Sequence, residues 1–276
     1  MTRPQEIAFS KMHGLGNDFV VIFDESATLH LGPSMIRKWA DRREGIGFDQ
    51  LLLISPSARE EVDFAYRIFN ADGSEVGQCG NGARCVGAYI QSKELSRKSE
   101  WVLETLSASL RVKMLAADRV RVDFPPPKLE WNQIPMRQEP PPSIWFDEVS
   151  YDYFAVNVGN PHIVITVEVI NRDELVKLGA WANSQSLFPE GVNVSFARLL
   201  SDQELQIMVF ERGVGLTQAC GSAACAAAVM CEEKYGMSHV MVSQPGGDLI
   251  VHYEKTGKEF YMVGDASFVF DGMIQI

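Results

Sequence analysis

The chain has 276 residues, 46% hydrophobic and 22% charged, which is ordinary globular composition and enough length for one large or two modest domains. Its 25 basic and 36 acidic side chains leave a net charge of −11, and no Lys/Arg run forms a stripe that could neutralise phosphates, so nucleic acid is not an expected partner. No apolar run approaches the roughly 18 residues of a membrane span, and Met1 to Gln5 lacks the basic-then-apolar start of a signal peptide, so a soluble cytoplasmic protein without membrane contact is expected.

In chain order, the first pattern is a small-residue turn leading into Gly16-Asn17-Asp18-Phe19 and the β-branched run Val20 to Ile22. Gln50 then precedes the apolar strand Leu51 to Ile54, and alternation marks Phe64 to Phe69 as a strand. A helix is expected from Cys79 to about Lys93, followed by strands over Leu110 to Leu115 and Val120 to Phe124. Seven of the thirteen prolines lie between Pro125 and Pro142, where neither a long helix nor a central strand fits, so this segment reads as a boundary.

Beyond it the pattern restarts. Gly159-Asn160-Pro161-His162 leads into Ile163 to Ile165, Asn193 precedes Val194 to Phe196, and Phe210 stands ten residues before Cys220-Gly221 just as Phe69 stands before Cys79-Gly80. Asn17 with Asn160 and Gln50 with Asn193 share an offset of 143 residues, and the two cysteines are 141 apart. Four features in one order at nearly one offset imply duplication of an α/β unit of domain size. Further strands are expected over Leu205 to Phe210, Val240 to Val242 and Leu249 to Tyr253. The second helix, Cys220 to about Lys234, is rich in alanine and nearly uncharged until its end, so it is placed inside a curled sheet, buried nearly all round.

The five cysteines are odd in number, and their spacings of six, five and six within the two helices are not those of zinc sites, so neither a disulfide framework nor a metal is expected. Cys85, Cys225 and Cys231 lie a turn or more into their helices and read as inert core thiols. Cys79 and Cys220 differ: each opens a helix after a Gly-containing loop, where unpaired N–H groups and the positive dipole end lower a thiol pKa and bind an anion. Gly80 and Gly221 let a ligand approach the backbone closely. If the halves face one another, a thiolate and a thiol flank one carbon, and such a pair inverts a stereocentre by general acid–base catalysis without a cofactor. Removal of an amino acid's α-proton then places enediolate charge where helix N–H donors stabilise it. Asn17, Asn70 and Asn160 also fit turns, and Glu211 with Arg212 also fits a solvated ion pair, although both lie on the approach to Cys220. His162 fits a core histidine equally well.

The segments Lys11 to Phe19, Gly45 to Gln50, Phe69 to Glu75, Cys79 to Cys85, Gly159 to His162, Pro189 to Asn193, Glu211 to Gly215 and Ala219 to Ser222 together resemble the diaminopimelate epimerase family. The resemblance implies a cofactor-independent enzyme that interconverts LL- and meso-2,6-diaminopimelate in lysine and cell-wall precursor synthesis. It implies Cys79 and Cys220 as the exchanging base and acid, and the backbone N–H groups of Gly80, Asn81, Gly221 and Ser222 around the reacting carboxylate. Asn70, Asn160, Asn193 and Arg212 would hold the distal carboxylate, and Glu211 a substrate ammonium. Asn17 and Gln50 would be further pocket positions, and His162 would support protonation or hold the reacting end. The implied fold class is α/β (α+β), with two pseudo-symmetric domains, each a mostly antiparallel barrel-like sheet around a central helix. The first domain would span 1–124, with a last strand at about 265–276 returning to it, and the second 125–264. A homodimer is implied. One departure is Ala223, where the family more often has Gly, so its methyl is expected to restrict backbone approach to the carboxylate.

Three rivals remain at this point. A proline or hydroxyproline racemase would leave Asn70, Asn160, Asn193 and Arg212 without a distal group to bind. A thiol redox protein would use the paired cysteines for peroxide or disulfide turnover. A non-catalytic binding module would have no use for paired thiols.

Overall fold

The computed structural model describes residues 6–77, 79–255 and 259–275. Met1 to Gln5, on which the expectation about a leader rests, and Gln78, in the loop before Cys79, lie outside the described residues. The protein is mixed α/β and mostly sheet, and it falls into two compact units: Met1–Asp123 with Val263–Ile276, and Phe124–Met262.

In the first unit, β1 (Glu6–Gly14) and β2 (Asn17–Phe23) form a hairpin whose turn places Leu15 and Gly16 at positive φ. Helix α1 (Pro33–Ala40) then carries the chain to β3 (Gln50–Pro56), which pairs parallel with β2 and antiparallel with β4 (Phe64–Asn70). The short β5 (Glu75–Val76) folds back on β4 ahead of α2 (Gly80–Ser92), and β6 (Glu100–Glu104), β7 (Ser109–Met114) and β8 (Arg119–Asp123) complete the run. Helix α2 packs on β1, β2, β3, β7 and β8, and ten of its residues, Asn81 to Ile90, are buried. That encirclement explains Gly87, where a Cβ would fall 2.6 Å from Val112. The far strand Ser267–Gln275 pairs antiparallel with β1.

Between the units, the proline-rich stretch forms turns and one isolated bridge, Lys128 to Asn157. The hairpin β9 (Ser143–Phe146) and β10 (Val149–Asp152) follows as a separate two-stranded sheet. The second unit then repeats the order of the first. β11 (Phe154–Asn157) and β12 (Pro161–Thr166) are antiparallel, α3 (Arg172–Ser184) crosses to β13 (Asn193–Leu199) parallel to β12, and β14 (Glu204–Glu211) returns antiparallel. β15 (Gly215–Leu216), α4 (Gly221–Tyr235), β16 (His239–Gln244) and β17 (Gly247–Tyr253) follow, and β18 (Phe260–Asp265) leads out of the unit.

The duplication extends to register. Phe19 pairs with Gln50 in the first unit, and His162 pairs with Asn193 at the same offset of 143 in the second; Leu51 with Phe69 corresponds to Val194 with Phe210. Helix α4 packs on β11 to β14, β16 and β17, with Ala223 to Cys231 buried. Its alanines bring the backbone close to the surrounding strands at no cost in helix propensity. No described helix is long and apolar enough to cross a membrane.

Two helices lie where the sequence reading placed none. Helix α1 begins with Pro33 at its first turn and buries Ile36, Trp39 and Ala40; α3 is capped by Asn171, which accepts from the N–H groups of Asp173 and Glu174. Each bridges a parallel strand pair, a connection that antiparallel hairpins never need.

Candidate active site

In the first unit, the polar residues converge on one edge of the sheet: Asn17 opens β2, Gln50 opens β3, Asn70 ends β4, and Cys79 is the N-cap of α2. The Cys79 backbone is extended (φ −149°, ψ 108°), and its Sγ accepts the N–H of Gly82 at 3.3 Å. A sulfur that takes a helix-terminal N–H is held where negative charge is favoured. The Tyr66 hydroxyl donates to the Cys79 carbonyl at 3.3 Å from beneath, and a Cβ on Gly82 would lie 2.3 Å from that hydroxyl. Only glycine fits there. Asn81 donates to Asn17 at 3.4 Å and accepts from the buried Arg84 guanidinium at 3.0 Å, while Asn17 donates to Asp49 at 2.9 Å. Gln50 Nε2 donates to Asn70 Oδ1 at 2.9 Å. A charged cluster holds the edge in place: Asp18 takes Lys11 at 2.5 Å and Arg42 at 2.7 Å, which keep its carboxyl far below the usual carboxylate range despite burial.

The second unit repeats the placement with different chemistry. Cys220 caps α4 with the same extended backbone (φ −132°, ψ 113°), and its N–H donates to Gln244 Oε1 at 2.8 Å. Its thiol donates to Glu211 Oε2 at 3.2 Å, and Ser222 Oγ lies at 3.4 Å. The second oxygen of Glu211 accepts from Thr217 at 2.5 Å. His162 is fully buried, with Nε2 2.9 Å from Asn160 Oδ1 and 3.1 Å from Ser222 Oγ. Burial, and then the nearby Arg212 charge, lower its pKa to about 3, so it is neutral near pH 7. Asn193 donates to Pro161 O at 2.9 Å and accepts the Arg212 N–H at 3.0 Å, which ties two strand ends to the loop. The Arg212 guanidinium donates to Glu190 O at 2.9 Å.

One sequence expectation is corrected. The helix terminus was expected to lower the pKa of both thiols, yet the Cys220 thiol is raised well above the ordinary range. Burial removes the water a thiolate needs, the Glu211 carboxylate repels its charge, and the Ser222 hydroxyl and Ala223 N–H offset only part of this. Cys220 is therefore a thiol near pH 7. Ala223, the departure from the family's glycine, is completely buried in α4. Its equivalent in the first unit is Gly82, whose Cβ direction meets Tyr66 and Leu52; the matching strand positions in the second unit hold Ile207 and Ser195, without the hydroxyl and with a smaller side chain.

Gln244, Thr217, Tyr66, Ser74 and Arg84 join these clusters without having been singled out from the sequence. Gln244 ends β16 and Thr217 follows β15, so only the folded topology brings them to Cys220 and Glu211. Among the described residues, no group of three or more His, Cys, Asp or Glu side chains could hold a metal ion.

Two N-capping thiols thus stand at equivalent positions of a duplicated α/β unit. The chain matches the family model for diaminopimelate epimerase over residues 9–130 and 154–269, and it belongs to that family. It is an enzyme of the isomerase, epimerase-type class. Solved structures share the fold at low identity. A hydroxyproline epimerase from Agrobacterium vitis, with bound trans-4-hydroxy-L-proline, is 12% identical with a TM-score of 0.72, covering 100% of this chain and 94% of that one. A probable proline racemase from Agrobacterium radiobacter is 15% identical with a TM-score of 0.68, covering 98% and 92%. A Bacillus anthracis phenazine biosynthesis protein of the PhzF family is 14% identical with a TM-score of 0.66, covering 99% and 100%.

Proposed function

We propose that this enzyme interconverts LL- and meso-2,6-diaminopimelate without a cofactor, by a two-base reaction in which Cys79 and Cys220 serve one α-carbon. The observation that carries this reading is the equivalent placement of the two cysteines as N-caps of α2 and α4, with Cys79 Sγ accepting the Gly82 N–H and Cys220 Sγ donating to Glu211. Burial and the Glu211 carboxylate keep Cys220 a thiol. The Cys79 thiolate removes the α-proton, the Cys220 thiol delivers its proton to the opposite face, and the reverse reaction exchanges the roles. The forward step leaves Cys79 as the thiol and Cys220 as the thiolate, which is the pair the reverse reaction needs.

The N–H groups at the starts of α2 and α4, from Gly80, Asn81, Gly221 and Ser222, take the reacting carboxylate and the enediolate charge. Asn70, Asn160, Asn193 and Arg212 take the distal carboxylate, Glu211 a substrate ammonium, and Asn17 and Gln50 the pocket beside them. Ser222 couples His162 to Cys220 through hydroxyl contacts, so neutral His162 holds the reacting end rather than supplying charge. This chemistry fits lysine and cell-wall precursor synthesis in the cytoplasm. A homodimer belongs to the same reading: the strand Ser267–Gln275 exposes three consecutive apolar residues, Phe268, Val269 and Phe270, and further along Met273. Turnover of diaminopimelate set against L-proline and trans-4-hydroxy-L-proline tests the substrate; preference for either cyclic amino acid would overturn it.

A further inference from the structure

We infer that Asp72 and Ser74 are positioning residues that fix Gln50 with its carbonyl oxygen open as the acceptor for the distal ammonium of an amino-acid substrate; this rests on the function proposed above. The chain of hydrogen bonds has one permitted direction. Asp72 carries an ionised carboxylate, which only accepts, and Ser74 holds its carboxyl below the ordinary range through the hydroxyl and backbone N–H. The Ser74 hydroxyl therefore spends its proton on Asp72, at 2.6 Å. Its oxygen can then only accept from Asn70, and Nδ2 of Asn70 lies 3.1 Å away. With Nδ2 turned to Ser74, Asn70 presents Oδ1 to Gln50, whose Nε2 donates at 2.9 Å.

The end of the relay is Gln50 Oε1, a buried oxygen with no hydrogen-bond partner among the described residues. A buried carbonyl without a donor costs free energy unless a ligand satisfies it. The relay thus leaves an acceptor at Gln50 and, on Asn70 Nδ2, a second N–H directed away from the first. An acceptor beside a donor matches the ammonium and carboxylate of a zwitterion. A substrate with a bare carboxylate, or with a neutral apolar end, would leave Gln50 Oε1 unsatisfied.

Ser74→Ala removes the hydroxyl that sets the direction, and Ser74→Thr retains it. Steady-state kinetics are compared for LL-diaminopimelate and for 2-aminopimelate, which keeps the distal carboxylate but lacks the distal ammonium. Expected for Ser74→Ala is a rise of about tenfold in KM for diaminopimelate, the low end for a charged hydrogen bond, with little change in kcat. KM for 2-aminopimelate should change less than about twofold, and Ser74→Thr should behave as wild type. Equal KM increases for both substrates, or a threonine variant no better than alanine, would overturn the inference. A second readout needs no turnover: the Gln50 side-chain amide signal in a ¹H–¹⁵N spectrum, identified by its loss in Gln50→Glu, should move in Ser74→Ala and stay in Ser74→Thr. An unmoved signal refutes the relay. A moved signal in a protein that turns over no diaminopimelate would uphold the relay and fault the substrate reading instead.

Discussion

Replacing Gly82 with alanine isolates the packing that sets Cys79. The added methyl would meet the Tyr66 hydroxyl at 2.3 Å and the two Leu52 methyls at 3.2 and 3.3 Å. Tyr66 has no room to retreat, because it is fully buried and its hydroxyl reaches the Cys79 carbonyl. Overpacking of this kind costs ~1–3 kcal/mol, and exchanging glycine for alanine in a helix returns at most ~1 kcal/mol, so a net loss of about 1–2 kcal/mol is expected. Removing the hydroxyl with Tyr66→Phe leaves Leu52 as the nearest neighbour, at a separation that small shifts relieve. In urea unfolding, the double variant should therefore be nearly as stable as Tyr66→Phe alone, a coupling of ~1–2 kcal/mol in the mutant cycle. Epimerase activity should fall in Gly82→Ala, since the Gly82 N–H is the one that Cys79 Sγ accepts, and recover in part in the double variant. An unchanged or more stable Gly82→Ala protein, or additive single effects, would refute the reasoning.

Other outcomes follow from the same contacts. His162 has its pKa lowered to about 3 in the fold against about 6.5 unfolded, so the unfolded chain binds the extra proton between those values and stability falls as pH falls through that window. Urea melts should show about 2 kcal/mol lost to this group between pH 6.5 and 5, and His162→Gln should flatten that part of the profile; an identical slope would contradict the assignment. Arg212→Ala should lower kcat/KM for diaminopimelate by at least about thirtyfold, the scale of ~2 kcal/mol for a charged hydrogen bond, with the melting transition little moved because the guanidinium is 37% exposed. The β9–β10 turn places Asp147 and Glu148 at φ 50° and 65°, so Asp147→Asn with Glu148→Gly should stabilise the protein by ~1 kcal/mol in thermal unfolding.

The repeat was readable because it is written in residues that cannot drift. Gly16 and Gly159 hold positive φ, and Gln50 and Asn193 sit at matching registers of parallel strand pairs. The second cysteine helix was legible from its alanine-rich, nearly uncharged composition, and both cysteine helices begin one residue after their cysteine, which serves as the cap. Helices α1 and α3 were less legible although Pro33 and Asn171 mark their starts, because α1 has only eight residues and α3 buries only Leu175, Leu178, Gly179 and Ala182. The raised pKa of the Cys220 thiol was not legible. Its setting depends on Glu211 and Gln244, the first nine residues from Cys220 along the chain and the second twenty-four, which only the sheet brings to the thiol.

The most direct test of two-base epimerisation follows the α-protons of LL-diaminopimelate by NMR in D₂O, with the reduced protein and no added cofactor. Expected is appearance of the meso isomer with deuterium at the inverted α-carbon, abolished in both Cys79→Ala and Cys220→Ala. No exchange in wild-type protein whose thiols are verified as reduced, or undiminished epimerisation in either cysteine variant, would contradict it.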